Sequence, residues 1–219
     1  MFLHLKSLFL EALGTLKTVI QRNSLIVKTV TLAFFIIMAI AVAVTAFALY
    51  ASPEVTELLT TITHSAFNYE DVPTPFTGEL FSYIFLNNIG HFWNPVKLLV
   101  WVPLIGPLLL ALELPLNSGV IGVVAVMVGA NEGLVYPILG LVPHGIIEIP
   151  AFLLQFSAIV LWQVTITEAA VAKLQGRPVE KDKLKQGLKD VLVLAVTSIL
   201  FLLIAAAVET YVTPRLLGL

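Results

Sequence analysis

The chain contains no cysteine, only 12% charged residues and a slight excess of acid over base, at a net charge of −2. Each shortage excludes something. Without cysteine there is no disulfide, no thiolate nucleophile and no Cys-ligated zinc or iron–sulfur cluster. The redox compartment therefore cannot be read from the chain. A soluble domain carries about 25% charged residues, and half that amount cannot cover a water-facing surface. With no free basic stripe, nucleic acid is excluded as a partner. The 13 glycines and 12 prolines are too few for a collagen or a low-complexity chain.

What is abundant is apolar. Hydrophobic residues make up 58% of the 219 positions, and the mean hydropathy is +0.98. The expected fold is an all-α polytopic membrane bundle forming a single integral membrane domain, with the lipid bilayer as its first partner.

A span needs about 20 apolar residues, and five segments qualify: Leu25–Tyr50, Val96–Leu114, Gly119–Val142, Ile146–Glu168 and Val191–Val212. Pro103 and Pro107 predict a kink in the second, and Asn131, Glu132 and Gly133 break the third. A re-entrant hairpin over Gly119–Val142 is the rival layout, but it would reverse the side of the later cations. Glu113, Asn117 and Ser118 are read as the turn between spans two and three.

Before span one, residues 1–24 place Phe2, Leu5, Leu8, Phe9, Leu13, Leu16 and Ile20 at helical spacing, an amphipathic helix. It either lies in the membrane interface or packs on the bundle. Residues 51–82 form an acidic loop with Glu54, Glu57, Glu70, Asp71 and Glu79 and no Lys or Arg, with a short helix near Glu54–Thr63. Residues 172–189 form a basic loop, solvated or drawn to anionic headgroups.

Ten of the twelve cations precede or open span one or lie between spans four and five. The positive-inside rule then predicts a cytoplasmic N-terminus and an extracytoplasmic C-terminus in a multi-pass protein of the cell membrane. On this layout Asn87, Asn88 and His91, then His144 and Glu148, then Glu209, Tyr211 and Thr213 reach one depth near the outer leaflet.

Intramembrane ionisable groups are functional hypotheses by default. Pro143-His144-Gly145 reads as a turn entering a helix, with Glu148 one turn beyond His144 on the same face. Three roles fit: a structural hydrogen-bonded pair, a ligand or proton site, or two ligands of zinc or another divalent metal completed by Glu209 or His91. Glu132, placed near mid-membrane by this layout, fits a proton or ion path or plain solvation in a distorted turn. No metalloprotease, nucleophile-elbow, phosphate-loop or dinucleotide motif occurs.

At these residues the chain resembles the stage II sporulation protein M family. Phe85-Leu86-Asn87-Asn88-Ile89, Pro143-His144-Gly145-Ile146-Ile147-Glu148-Ile149-Pro150-Ala151 and Ala207-Val208-Glu209-Thr210-Tyr211-Val212-Thr213-Pro214 are similar to the family's motifs in order and spacing, and the middle block is the most specific. The resemblance implies a multi-span helical protein without recognised catalytic activity. In sporulating bacteria such proteins work with cell-wall-degrading partners during engulfment, although relatives also occur where there is no sporulation. The chain departs from the family pattern at Pro103, Pro107 and Asn117-Ser118, where a Gly-rich span and an Asn-Gly turn are usual.

Three functions follow, in order of expectation. The first is a non-enzymatic membrane scaffold or assembly component that contacts membrane or extracytoplasmic proteins. The second is a small transporter or channel subunit using Glu132, Glu148 and Glu209; five spans enclose little, so it would work as a homodimer. The third is an intramembrane metal-dependent hydrolase built on His144, Glu148 and Glu209.

Overall fold

The computed structural model describes residues 2–52, 54, 57, 61 and 72–219. Half of the acidic 51–82 loop, including most of the expected helix over Glu54–Thr63, lies outside them; its last residues belong to a helix. The elements are α1 (Phe2–Arg22), α2 (Ser24–Ala51), α3 (Gly78–Asn88), two 3₁₀ turns (Gly90–Phe92 and Lys97–Trp101), α4 (Gly106–Glu132), α5 (Val135–Leu174), α6 (Lys181–Tyr211) and the short α7 (Thr213–Leu216). No strand occurs among the described residues, so the chain is a helical membrane bundle. Four helices (α2, α4, α5 and the α6–α7 run) are long and apolar enough to cross a membrane.

The long helices are arranged by side-chain fit. The α5 and α6 helices pack antiparallel: Thr165 meets Gly187 near one end, and His144 meets Thr213 near the other. At 40 residues, α5 is about 60 Å long, roughly twice the hydrocarbon thickness. Gly122 of α4 lets α2 approach so closely that an added Cβ would sit 2.8 Å from the Met38 carbonyl oxygen. Phe34 of α2 then joins Val100, Phe152, Phe156, Ile159 and Leu202 in the central core.

Polar groups close the end where α1 meets α2. Asp190 of α6, fully buried, accepts from Arg22 Nη1, Asn23 Nδ2 and Gln186 Nε2, each at 2.8 Å. The last turns of α1 pack there too, Val19 being buried with Leu194. Further out, Lys183 pairs with Glu168 at 2.8 Å, and Arg177 and Lys183 are among the residues lining a cavity of about 1040 Å³.

Between α3 and α4 the chain runs alongside α5 without a continuous helix. Its contacts descend along α5: Asn88 lies by Gln155, His91 by Phe156, Trp101 by Trp162 and Gly106 by Gln163. Such backbone leaves carbonyls without helical donors, which is costly away from water. Side chains supply the donors. Gln155 Nε2 donates to the Asn88 carbonyl, Trp101 Nε1 to that of His91, Trp162 Nε1 to that of Trp101 and Gln163 Nε2 to that of Val100.

This broken passage corrects the expected span boundaries. The chain turns at 102–106, not at Glu113–Ser118, and Leu104 adopts φ 74° there. Pro107 sits in the first turn of α4, where its missing N–H costs nothing. Asn117 and Ser118 lie inside α4 because their side chains bond back to the Glu113 and Leu114 carbonyls of the same helix. The other end of α4 is at Glu132, and Gly133, at φ 88°, reverses the chain directly into α5. Spans three and four thus merge differently from the expected layout: the break at Asn131–Gly133 is a full turn between two helices. Pro143 and Pro150 lie within α5 and mark no turn. The basic loop 172–189 shrinks to residues 175–180, because α5 and α6 extend into it.

Gln163→Leu removes the donor to the Val100 carbonyl and leaves that group buried without compensation. It is expected to destabilise the protein by about 1–3 kcal/mol, measured by thermal unfolding in detergent.

Candidate functional site

The polar node lies at the end of the bundle opposite Asp190, and four elements build it. Asn88 comes from the last residue of α3, whose start is fixed by Thr77 Oγ1 accepting from the Leu80 amide at 3.2 Å. The preceding loop is tied down where the Phe76 amide donates to the Thr210 carbonyl at 3.3 Å and Arg215 lies over the Phe76 ring. Helix α5 contributes His144 and Glu148, one turn apart, with Nε2 and Oε2 separated by 3.7 Å. Glu209 comes from the last turns of α6. At Val212 the chain leaves that helix and turns Thr213 inward, where it is buried.

The contacts form a closed set. Asn88 Nδ2 donates to Glu148 Oε1 at 2.6 Å. His144 Nδ1 lies 3.4 Å from Thr213 Oγ1, which leaves Nε2 facing Glu148. One ligand atom from each of His144, Glu148 and Glu209 lies within 4.8 Å of the others. The side chains of His144 and Glu148 are 9% and 15% exposed, so two carboxylates and an imidazole share a nearly dry space. Among the described residues, no ion pair links Glu148 or Glu209 to Lys or Arg.

Five of the residues singled out in the sequence meet here: Asn88, His144, Glu148, Glu209 and Thr213. Four others stand apart. Asn87 is exposed, because consecutive helical residues point about 100° apart and Asn88 takes the inward position. Tyr211 is exposed at the end of α6, before the bend that brings Thr213 inward. His91 is no companion of His144: its Nε2 bonds Glu113 Oε2 of α4, and its ring meets Phe156 edge-on. The broken passage carries it away from the node. Glu132 is exposed at the end of α4 rather than buried at mid-depth, because Gly133 ends the helix there.

A family model described as stage II sporulation protein M matches residues 31–214. The chain belongs to the stage II sporulation protein M family. The match runs from within α2 to Pro214 and so includes every residue of the node, and the chain is a sporulation-type membrane protein. Neither a curated protein nor a solved structure gives a significant match.

Sequence reasoning overlooked two polar groupings of this family member. Asp190 follows directly on Lys189, just past the basic loop 172–189, and has no role in that reasoning, although it is a buried acceptor. Glu113, assigned to a turn, is the partner of His91. A signal existed for the second: an imidazole and a carboxylate, both in strongly apolar surroundings, with no oppositely charged residue close to either in the sequence.

The absence of native cysteine makes the node's geometry directly measurable. Asn88→Cys combined with Glu148→Cys is expected to crosslink efficiently with a short bifunctional thiol reagent. Asn87→Cys with Glu148→Cys should react several-fold less, read as the shifted band on a denaturing gel.

Proposed function

We propose that this protein is a non-enzymatic membrane scaffold, an assembly component whose node-bearing end meets membrane or extracytoplasmic protein partners. The observation that supports it most is the node itself. It joins α3, α5, α6 and α7 through Asn88, His144, Glu148, Glu209 and Thr213, and so makes that end of the bundle a fixed platform. Family membership agrees with such a role.

The orientation follows from charge. Arg22, Lys173, Arg177 and the lysines of α6 gather at the Asp190 end, and cations favour the cytoplasmic side. Four long helices, with α3 and the broken passage together as a fifth run, make five crossings, a multi-pass arrangement that puts the N-terminus in the cytoplasm and the C-terminus outside. The most apolar stretches of α2 and α4 are each only 11% buried, against 50% in α5. These two helices form the outer face, which serves lipid contact and the pairing of two copies as a homodimer.

Single-cysteine variants test the orientation. A membrane-impermeant maleimide is expected to label Gly218→Cys in intact cells and Lys181→Cys only after permeabilisation; the reverse pattern inverts the topology.

Reconstitution tests the scaffold reading. Purified protein in liposomes should add no proton or ion flux over empty vesicles, while a photo-crosslinker at exposed Tyr83 should join the protein to one membrane or extracytoplasmic partner in its native membrane. Flux that Glu148→Gln abolishes would establish the transport reading instead.

A further inference from the structure

The geometry points to a divalent transition-metal site at His144, Glu148 and Glu209, filled by zinc, that clamps α5 to α6 beneath α3. This inference goes beyond the scaffold reading and does not rest on it.

The donor set is the first support. One imidazole nitrogen and two carboxylates are ordinary zinc ligands, with bonds of about 2.0–2.2 Å. A tetrahedral ion with such bonds holds its ligand atoms about 3.3–3.5 Å apart. His144 Nε2 and Glu148 Oε2 stand 3.7 Å apart, and all three donors lie within 4.8 Å of one another. Small side-chain rotations therefore close the set around an ion.

The surroundings of the donors are the second, independent support. A ligating histidine almost always gives its other ring N–H to an acceptor, which fixes the tautomer. Thr213 Oγ1 stands on the Nδ1 side of His144, so Nε2 is the free donor, and it is Nε2 that faces the carboxylates. Ligating carboxylates are hydrogen-bonded in turn, and Asn88 Nδ2 holds Glu148 Oε1 at 2.6 Å. The side chain thus presents Oε2 to the imidazole.

Charge is the third support. Two carboxylates facing each other in a largely buried, apolar setting repel and lose hydration, and among the described residues neither has a Lys or Arg partner. A dication cancels both charges at the place where they converge. Three protein ligands leave one coordination position, which water fills.

The other histidine–acid pair does not compete for the ion. His91 and Glu113 bond each other directly, and no further ligand of this kind joins them among the described residues. His91→Gln is therefore the control variant.

The experiment is elemental analysis and thermal unfolding of the full-length protein in detergent, after incubation with zinc and dialysis. About one zinc per chain is expected, retained in His91→Gln and lost in Glu209→Gln and in His144→Ala. Zinc at about a hundredfold excess over Kd should raise the Tm of chelator-treated wild-type protein by about 5–10 °C and leave that of Glu209→Gln unchanged. The wild-type chelator and re-addition cycle stands even if a ligand variant fails to fold. Cobalt(II) added to the stripped protein should give visible absorption bands that zinc displaces. Wild-type protein with no bound zinc and no change in Tm on adding metal or chelator would overturn the site. Zinc that survives in both ligand variants would place the metal elsewhere and overturn it equally.

Discussion

A backbone that passes through an apolar bundle without a continuous helix must find hydrogen-bond donors for the carbonyls its short turns leave unmet, and no water is at hand to supply them. The stretch from α3 to α4 is held to this requirement, and the rest of the fold is shaped around it. Gln155, Trp162 and Gln163 face inward from α5 because the carbonyls of Asn88, Trp101 and Val100 are there to be met. Gly106 lacks a side chain because Gln163 and the Val100 carbonyl occupy the space that a Cβ would need. The aromatic pair Trp101–Trp162 stacks edge to face, and each indole nitrogen of the pair is also spent on a carbonyl. Polar side chains in the middle of this protein are therefore largely structural, in that they supply the hydrogen bonds a continuous helix would have made.

The node at one end differs in kind. Its members bond side chain to side chain between α3, α5 and α7, with Glu209 of α6 close by, and they include more carboxylate than the local donors can satisfy. The grouping at Asp190 offers the comparison. A single buried acid there receives three donors, one of them a guanidinium. At the node two acids receive one amide and face one imidazole. The same physics that makes the Asp190 grouping self-sufficient makes the node a place for something additional.

Much of this was legible in the chain. Apolar content and scarce charge specify a helical membrane bundle, and the four-residue spacing of His144 and Glu148 puts them on one helix face wherever that helix begins. The inclusion of Glu209 and Thr213 also followed, since the parity of the crossings brings those segments to one end. The turning points were not legible. Proline and glycine punctuate soluble chains reliably, but in membrane helices they are tolerated, so Pro143-His144-Gly145 imitated a helix start and the Pro103–Pro107 reversal imitated a kink. Asn117 and Ser118 looked like a turn because their self-satisfying bonds to the preceding helical turn leave no trace in composition. The pairing of His91 with Glu113 depends on the broken passage, and no periodicity encodes that passage.

The positions of the donors along the chain carry a consequence for biosynthesis. Asn88, Val100 and Trp101 are met by residues 67, 63 and 61 positions later. At synthesis rates of about 5–20 residues per second, those partners emerge roughly 3–13 seconds after the carbonyls they serve. Through that interval the passage between α3 and α4 has no place of its own in the apolar phase. It settles only when α5 arrives to line it, so α5 acts toward an earlier part of its own chain as a chaperone does toward a client.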